Sequence, residues 1–95
     1  MNVVVLSGRL VKPPKAGTSS NGKGYVLFTL AVRKNKEEAD FIDCLAYDAD
    51  ASLIAQYCKQ GSALNVTGRL SQRKVEIDGK RINALSVIVS RFDFA

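Results

Sequence analysis

Phe41 and Tyr47 stand six positions apart in Ala39-Asp40-Phe41-Ile42-Asp43-Cys44-Leu45-Ala46-Tyr47, a stretch that reads as a strand. Side chains alternate along a strand, so Phe41, Asp43, Leu45 and Tyr47 share one face and Ile42, Cys44 and Ala46 the other. The second set is small and apolar and suits a core. Phe41 and Tyr47 are then left on a half-polar outer face. Exposed aromatic rings in a basic protein are platforms on which unpaired bases stack. The competing reading of the same two residues is burial in a core or interface, the commoner fate of Phe.

Cations are the second chemical group. Lys and Arg exceed Asp and Glu by 14 to 9, a formal net charge of +5 over 95 residues. Such an excess on one small domain favours a polyanionic partner, without choosing between DNA, RNA and an anionic membrane. Arg33, Lys34 and Lys36 lie in a charged connector and Arg73, Lys74, Lys80 and Arg81 around a hairpin tip. Each set reads either as phosphate contacts or as a solvated surface. The chain has no His and only Cys44 and Cys58, which excludes a zinc site and leaves two reduced core thiols. With no Cys cluster and no phosphate-cradling Gly-Lys motif either, no catalytic constellation is assembled, and neither an enzyme nor a cofactor is expected. No apolar run approaches the ~20 residues of a membrane span, and Met1-Asn2 does not begin a signal peptide. A cytoplasmic protein that does not enter membranes is expected.

These residues need a scaffold of strands. Val3 to Val11 is β-branched and apolar on both faces in its first half. A small barrel needs only one apolar face, so the second predicts contact with another subunit, by edge pairing of Val3–Leu10. Gly8 permits a bend or bulge, and Pro13-Pro14 ends the strand. Lys12 to Gly24 reads as a mobile loop, and Tyr25 to Arg33 as the second strand, with Val26, Phe28 and Leu30 inward. After the Ala39–Tyr47 strand, a helix is predicted to run through Gln60, capped by Asp48 or Asp50, with Leu53, Ile54, Tyr57 and Cys58 as its apolar stripe. The Asp48-x-Asp50 pair fits capping and dipole compensation better than a metal site. Ala63–Ile77 and Lys80–Ser90 flank Asp78-Gly79, a strong two-residue hairpin signal. Strand, strand, strand, helix, strand, strand, with glycine bends at Gly8 and Gly68, predicts an all-β, five-stranded Greek-key barrel with its helix between strands three and four. This is the OB-fold, as one domain over residues 1–95.

Several spaced segments also resemble one family. Asn2-Val3-Val4-Val5-Leu6-Ser7-Gly8-Arg9-Leu10, Phe28-Thr29-Leu30-Ala31-Val32, Ala39-Asp40-Phe41-Ile42-Asp43-Cys44 and Val66-Thr67-Gly68-Arg69-Leu70 closely resemble bacterial single-stranded DNA-binding proteins, in the same order. The resemblance implies an OB-fold coat for single-stranded DNA in replication, repair and recombination. It implies a homotetramer of dimers joined through the first strand, with a dimer as the lesser alternative. It makes Phe41 and Tyr47 the base-stacking pair and places Lys59, Arg73 and Lys74 beside the DNA path as phosphate neutralisers.

Departures from the family pattern carry expectations of their own. Lys36 and Val75 stand where many members have further aromatics, a loss that Tyr25 or extra cations would have to offset. Asp43 and Asp48 are anionic where the family tends to be neutral or basic, so weaker or more salt-sensitive binding is expected. The family's flexible tail with its acidic tip has no counterpart in this sequence, which suits either a compact variant or a truncated domain. The alternative function is an OB-fold primosome-type assembly module in which protein contacts dominate. A cold-shock-like RNA binder fits less well, because its exposed aromatics would cluster on the early strands.

Overall fold

Val4–Leu10 forms strand β1, which is shared between the two ends of one curled sheet. Val4 to Arg9 pair antiparallel with β5 (Ala63–Ile77), while Arg9 and Leu10 pair with Ala31 and Leu30 of β3 (Gly24–Arg33). The computed structural model describes residues 1–95; only the side chain of Val75, one position where the family resemblance places an aromatic, lies outside the described residues.

Around the ring, β3 pairs with β4 (Ala39–Tyr47), β4 with β6 (Lys80–Phe94), and β6 with β5, which returns to β1. The β4–β6 joint is parallel, at Cys44↔Val87 and Leu45↔Ile88. Parallel neighbours need a crossover, and helix α1 (Asp48–Tyr57) with β5 supplies it. The five strands β1, β3, β4, β5 and β6 make the expected OB-fold barrel with α1 between β4 and β5. Leu10, Val26, Phe28, Leu30, Cys44, Ala46, Leu64, Val66 and Val87 fill its interior, and Ile54 of α1 plugs the end.

Closure brings backbones close together. Gly8 sits where β1 leaves β5 for β3, and a Cβ there would lie 2.6 Å from the Ala31 carbonyl oxygen. At Gly68 the same atom would lie 2.1 Å from the Ile88 oxygen, beside a register shift between Thr67 and Gly68. Both expected bends are therefore tied to strand contacts that only glycine permits.

Five expectations are corrected. The Lys12–Gly24 segment is not all loop: Lys15–Thr18 forms β2, paired with β3 from Lys15↔Leu27 to Thr18↔Gly24. Lys-Ala-Gly-Thr has no apolar alternation, so backbone hydrogen bonding to β3, rather than burial, makes the strand. The helix ends at Tyr57, and Cys58 closes it through its N–H to the Ile54 carbonyl at 2.9 Å. Its inward stripe is Ala51, Ile54 and Cys58, whereas Leu53 and Tyr57 are exposed; Tyr57 packs edge-on against Phe94. Neither Asp48 nor Asp50 caps it through its side chain, although both lie in the first turn, where negative charge suits the dipole. Finally, β6 continues past Ser90 to Phe94 because Arg91 to Phe94 pair with Thr67 to Leu64.

Cys44 and Cys58 are free and buried, as expected. Burial, and secondarily the charge of Asp43, pushes the Cys44 thiol up to about 12 from 9.0. The folded state holds this proton after the unfolded chain has released it. The resulting stabilisation is complete below pH 9.0 and is lost progressively as pH rises towards about 12. Denaturant midpoints at pH 8 and pH ~10.5 are expected to differ less in Cys44→Val than in the parent chain. An equal difference in both would refute this source of pH dependence.

Candidate nucleic-acid interface

The outer faces of β3 and β4 form one surface whose register places functional side chains in rows. Tyr25 lies opposite Tyr47, Leu27 opposite Leu45, Thr29 opposite Asp43 and Ala31 opposite Phe41. Phe41 faces only the small Ala31 and is 68% exposed. At a rise of ~3.4 Å per residue, Phe41 and Tyr47 stand about 20 Å apart along the strand. Leu45, expected on this open face, is instead buried, since its neighbours across the sheet are Leu27 on one side and Ile88 on the other.

Tyr47 is half-buried and precedes α1 as its N-cap residue. The ammonium of Lys23 lies 4.8 Å from its ring centroid and 3.6 Å from an Asp48 oxygen. The ion pair is exposed and adds little stability, but the cation–π contact keeps a positive charge beside the Tyr47 ring. Tyr25 leans the other way, its ring covering Gly17 of β2 so closely that a Cβ at Gly17 would meet the phenol oxygen.

A groove of about 230 Å³ opens on the same surface. Thr29, Asp43 and Ser86 are among the residues that line it, and Lys12, Lys15 and Arg73 supply cations to the same lining. Arg73 arrives there because, beyond the register shift, Arg69, Ser71 and Arg73 pair with Ile88, Ser86 and Ala84 and so share the outer face. Lys74 pairs with Asn83 and leaves from the opposite face of the arm. The arm turns at Asp78 and Gly79, whose φ values of 51° and 76° suit the tight hairpin expected from these residues.

Arg33 and Lys36 gather elsewhere, with Arg9, around a cleft of about 370 Å³ between β1 and the β3–β4 connector, where Glu37 and Glu38 also lie. Lys34 is in the same connector, its N–H donating to the Glu38 carbonyl at 3.0 Å. Lys59 lies apart from both, on the turn after α1, where its N–H donates to Ser62 Oγ at 2.9 Å. Of the cations anticipated from sequence, only Arg73 lines the β3–β4 groove. Lys12, Lys15 and Lys23 were not anticipated; each belongs to the segment carrying β2, and nothing local in that segment marks it as part of a strand-built surface.

The closed OB-fold barrel thus carries an exposed aromatic and a groove lined by three cations on its outer surface. The model of the single-strand binding protein family matches residues 1–95, and the chain belongs to that family. A single-stranded DNA-binding protein of Fusobacterium nucleatum is 36% identical over 99% of this chain and 66% of its own length. Proteins of the same name from Bacillus cereus and Clostridium perfringens are 40% and 42% identical over 99% of this chain, and 59% and 65% of their own lengths. The chain thus spans 59–66% of these relatives. Among the described residues, no helix is long and apolar enough to cross a membrane.

Proposed function

We propose that this chain binds single-stranded DNA across the outer face of β3 and β4, with little regard to sequence, protecting it during replication, repair or recombination. Bases stack on Phe41 and Tyr47 while cations at the groove neutralise phosphates. The observation that carries this reading is the bare Phe41 ring, 68% exposed with nothing but Ala31 across from it. A ring so placed adds little to the fold and is available to a base. Each of the three relatives described above is named for binding single-stranded DNA, which supports this reading over the assembly-module alternative.

The proposed unit is a homo-oligomer joined through β1, a tetramer first and a dimer second. Only Arg9 and Leu10 of β1 pair with β3, so among the described residues the edge from Val4 to Ser7 has no strand partner on that side. Val3 and Val5 beside it are exposed. An open apolar edge of this kind pairs readily with a second copy.

Anisotropy titration of a labelled oligo-dT and of a duplex of equal length, at two salt concentrations and with mass measured on the same sample, tests the reading. A strong single-strand preference that weakens with salt is expected. Equal weak binding to both would reject it. In the same assay Arg73→Ala is expected to flatten the slope of log affinity against log salt by about 0.7, the loss of one phosphate contact. Lys74→Ala, departing from the other face, is expected to flatten it less. Equal flattening by both would place DNA on two faces of the arm.

A further inference from the structure

The lining of the β3–β4 groove mixes charges of opposite sign. Lys12, Lys15 and Arg73 are cationic, yet Asp43 puts a carboxylate in their midst. Thr29, directly across the strand pair, donates its hydroxyl to Asp43 Oδ1 at 2.9 Å and so fixes the carboxylate's orientation. Among the described residues, Oδ2 has no hydrogen-bond partner, and none of the three cations lies within 4.0 Å of either oxygen. An exposed charged acceptor is therefore held in one orientation, with no ion-pair partner, in the lining of a groove too small for a drug-sized ligand (~300–1,000 Å³) but of the scale of one planar base.

From this arrangement we infer that Asp43 biases the composition of the strand this protein holds, favouring bases with an exocyclic amino group over thymine. The inference rests on the single-stranded DNA reading above and refines it at one position. A phosphate does not settle beside Asp43, because like charges repel there; it stays with Lys12, Lys15 and Arg73. What faces Asp43 is the edge of a base. A carboxylate only accepts hydrogen bonds, so the base must donate. Cytosine offers its N4 amino group, and adenine and guanine offer N6 and N2. Thymine offers a single N–H flanked by two carbonyl oxygens, both of which are repelled by the carboxylate. Stacking on Phe41 and Tyr47 is indifferent to base identity, so Asp43 supplies discrimination that the aromatic platforms lack.

The test compares labelled oligo-dC and oligo-dT of one length, at pH 7.5 and fixed salt, on the parent chain and on Asp43→Asn. The amide keeps the shape and the Thr29 contact while losing the charge and gaining a donor for thymine O4. Because each probe is compared with itself, differences in strand flexibility cancel. The ratio of dC to dT affinity is expected to fall about tenfold in Asp43→Asn, with oligo-dT gaining most, as a hydrogen bond to a charged group is exchanged for a neutral one. Equal tightening of both strands would show a general charge effect and overturn the inference while leaving single-strand binding intact. Failure of the folded parent chain to bind either strand would overturn the functional reading, and the inference with it.

Discussion

Phe41→Ala is expected to weaken binding to single strands of every composition by about 1–3 kcal/mol, the worth of one stacked base. In affinity this is roughly a five- to 150-fold loss. The ring is 68% exposed and faces Ala31, so its removal leaves no cavity and the thermal midpoint should hardly move. Phe41→Trp should preserve or improve binding, since a larger π-face stacks at least as well, whereas Phe41→Leu should behave like Ala despite its similar hydrophobicity. This contrast separates stacking from mere apolar contact. Titration of dT, dC and mixed-sequence oligonucleotides against the three variants reads the result. A folded Phe41→Ala chain with parental affinity would take Phe41 out of the interface, and with it the observation on which the proposed function stands.

Gly68→Ala is expected to cost about 1–3 kcal/mol of stability or more, although it adds only one methyl group. That methyl carbon would lie 2.1 Å from the Ile88 carbonyl oxygen and 2.9 Å from its carbon. Both atoms are backbone, so no side chain can swing aside. The site is also where the β5–β6 pairing changes register: Thr67 pairs with Arg91 and Gly68 with Val89. Ser90 is the extra residue between them, and its hydroxyl donates to the Thr67 carbonyl at 3.0 Å. The bulge lies within the barrel, because Ile88 and Val87, which pair with Arg69 and Leu70 just beyond it, also join β4; the arm that carries Arg73 extends further along the same two strands. A domain of this size loses ~4–8 °C per kcal/mol, so a clear drop in thermal midpoint is expected, together with weaker DNA binding. Gly24→Ala is the control, because a Cβ there meets nothing within 4 Å. Equal midpoints for the two variants would show that the strands separate easily at Gly68.

The expectation of weaker or more salt-sensitive binding drew on Asp43 and Asp48. In the folded chain Asp48 is close to Lys23 and Asp43 accepts from Thr29. The two acids therefore act differently: one has a cation beside it, the other keeps a free oxygen in the groove.

What could be read from residues alone was whatever short-range chemistry decides. The two-residue alternation of Ala39 to Tyr47 separated Phe41 from Cys44 and Ala46 correctly. Asp78-Gly79 announced its turn because the turn needs positive φ at both positions, which these residues tolerate. The glycines at 8 and 68 marked bends, and the barrel order followed from strand count and the place of the helix. Tertiary structure decided everything that depends on which strands become neighbours. Leu45 is buried because Leu27 and Ile88 flank it, and β2 exists because β3 offers it an edge. The stripe of α1 turned out to be Ala51, Ile54 and Cys58, since the orientation of the helix over the barrel, not hydrophobicity alone, chose the inward face. The groove is the plainest case. Lys12, Lys15, Asp43 and Arg73 are spread along the chain from position 12 to position 73, and no local pattern relates them. They meet only because a closed sheet places distant strands side by side.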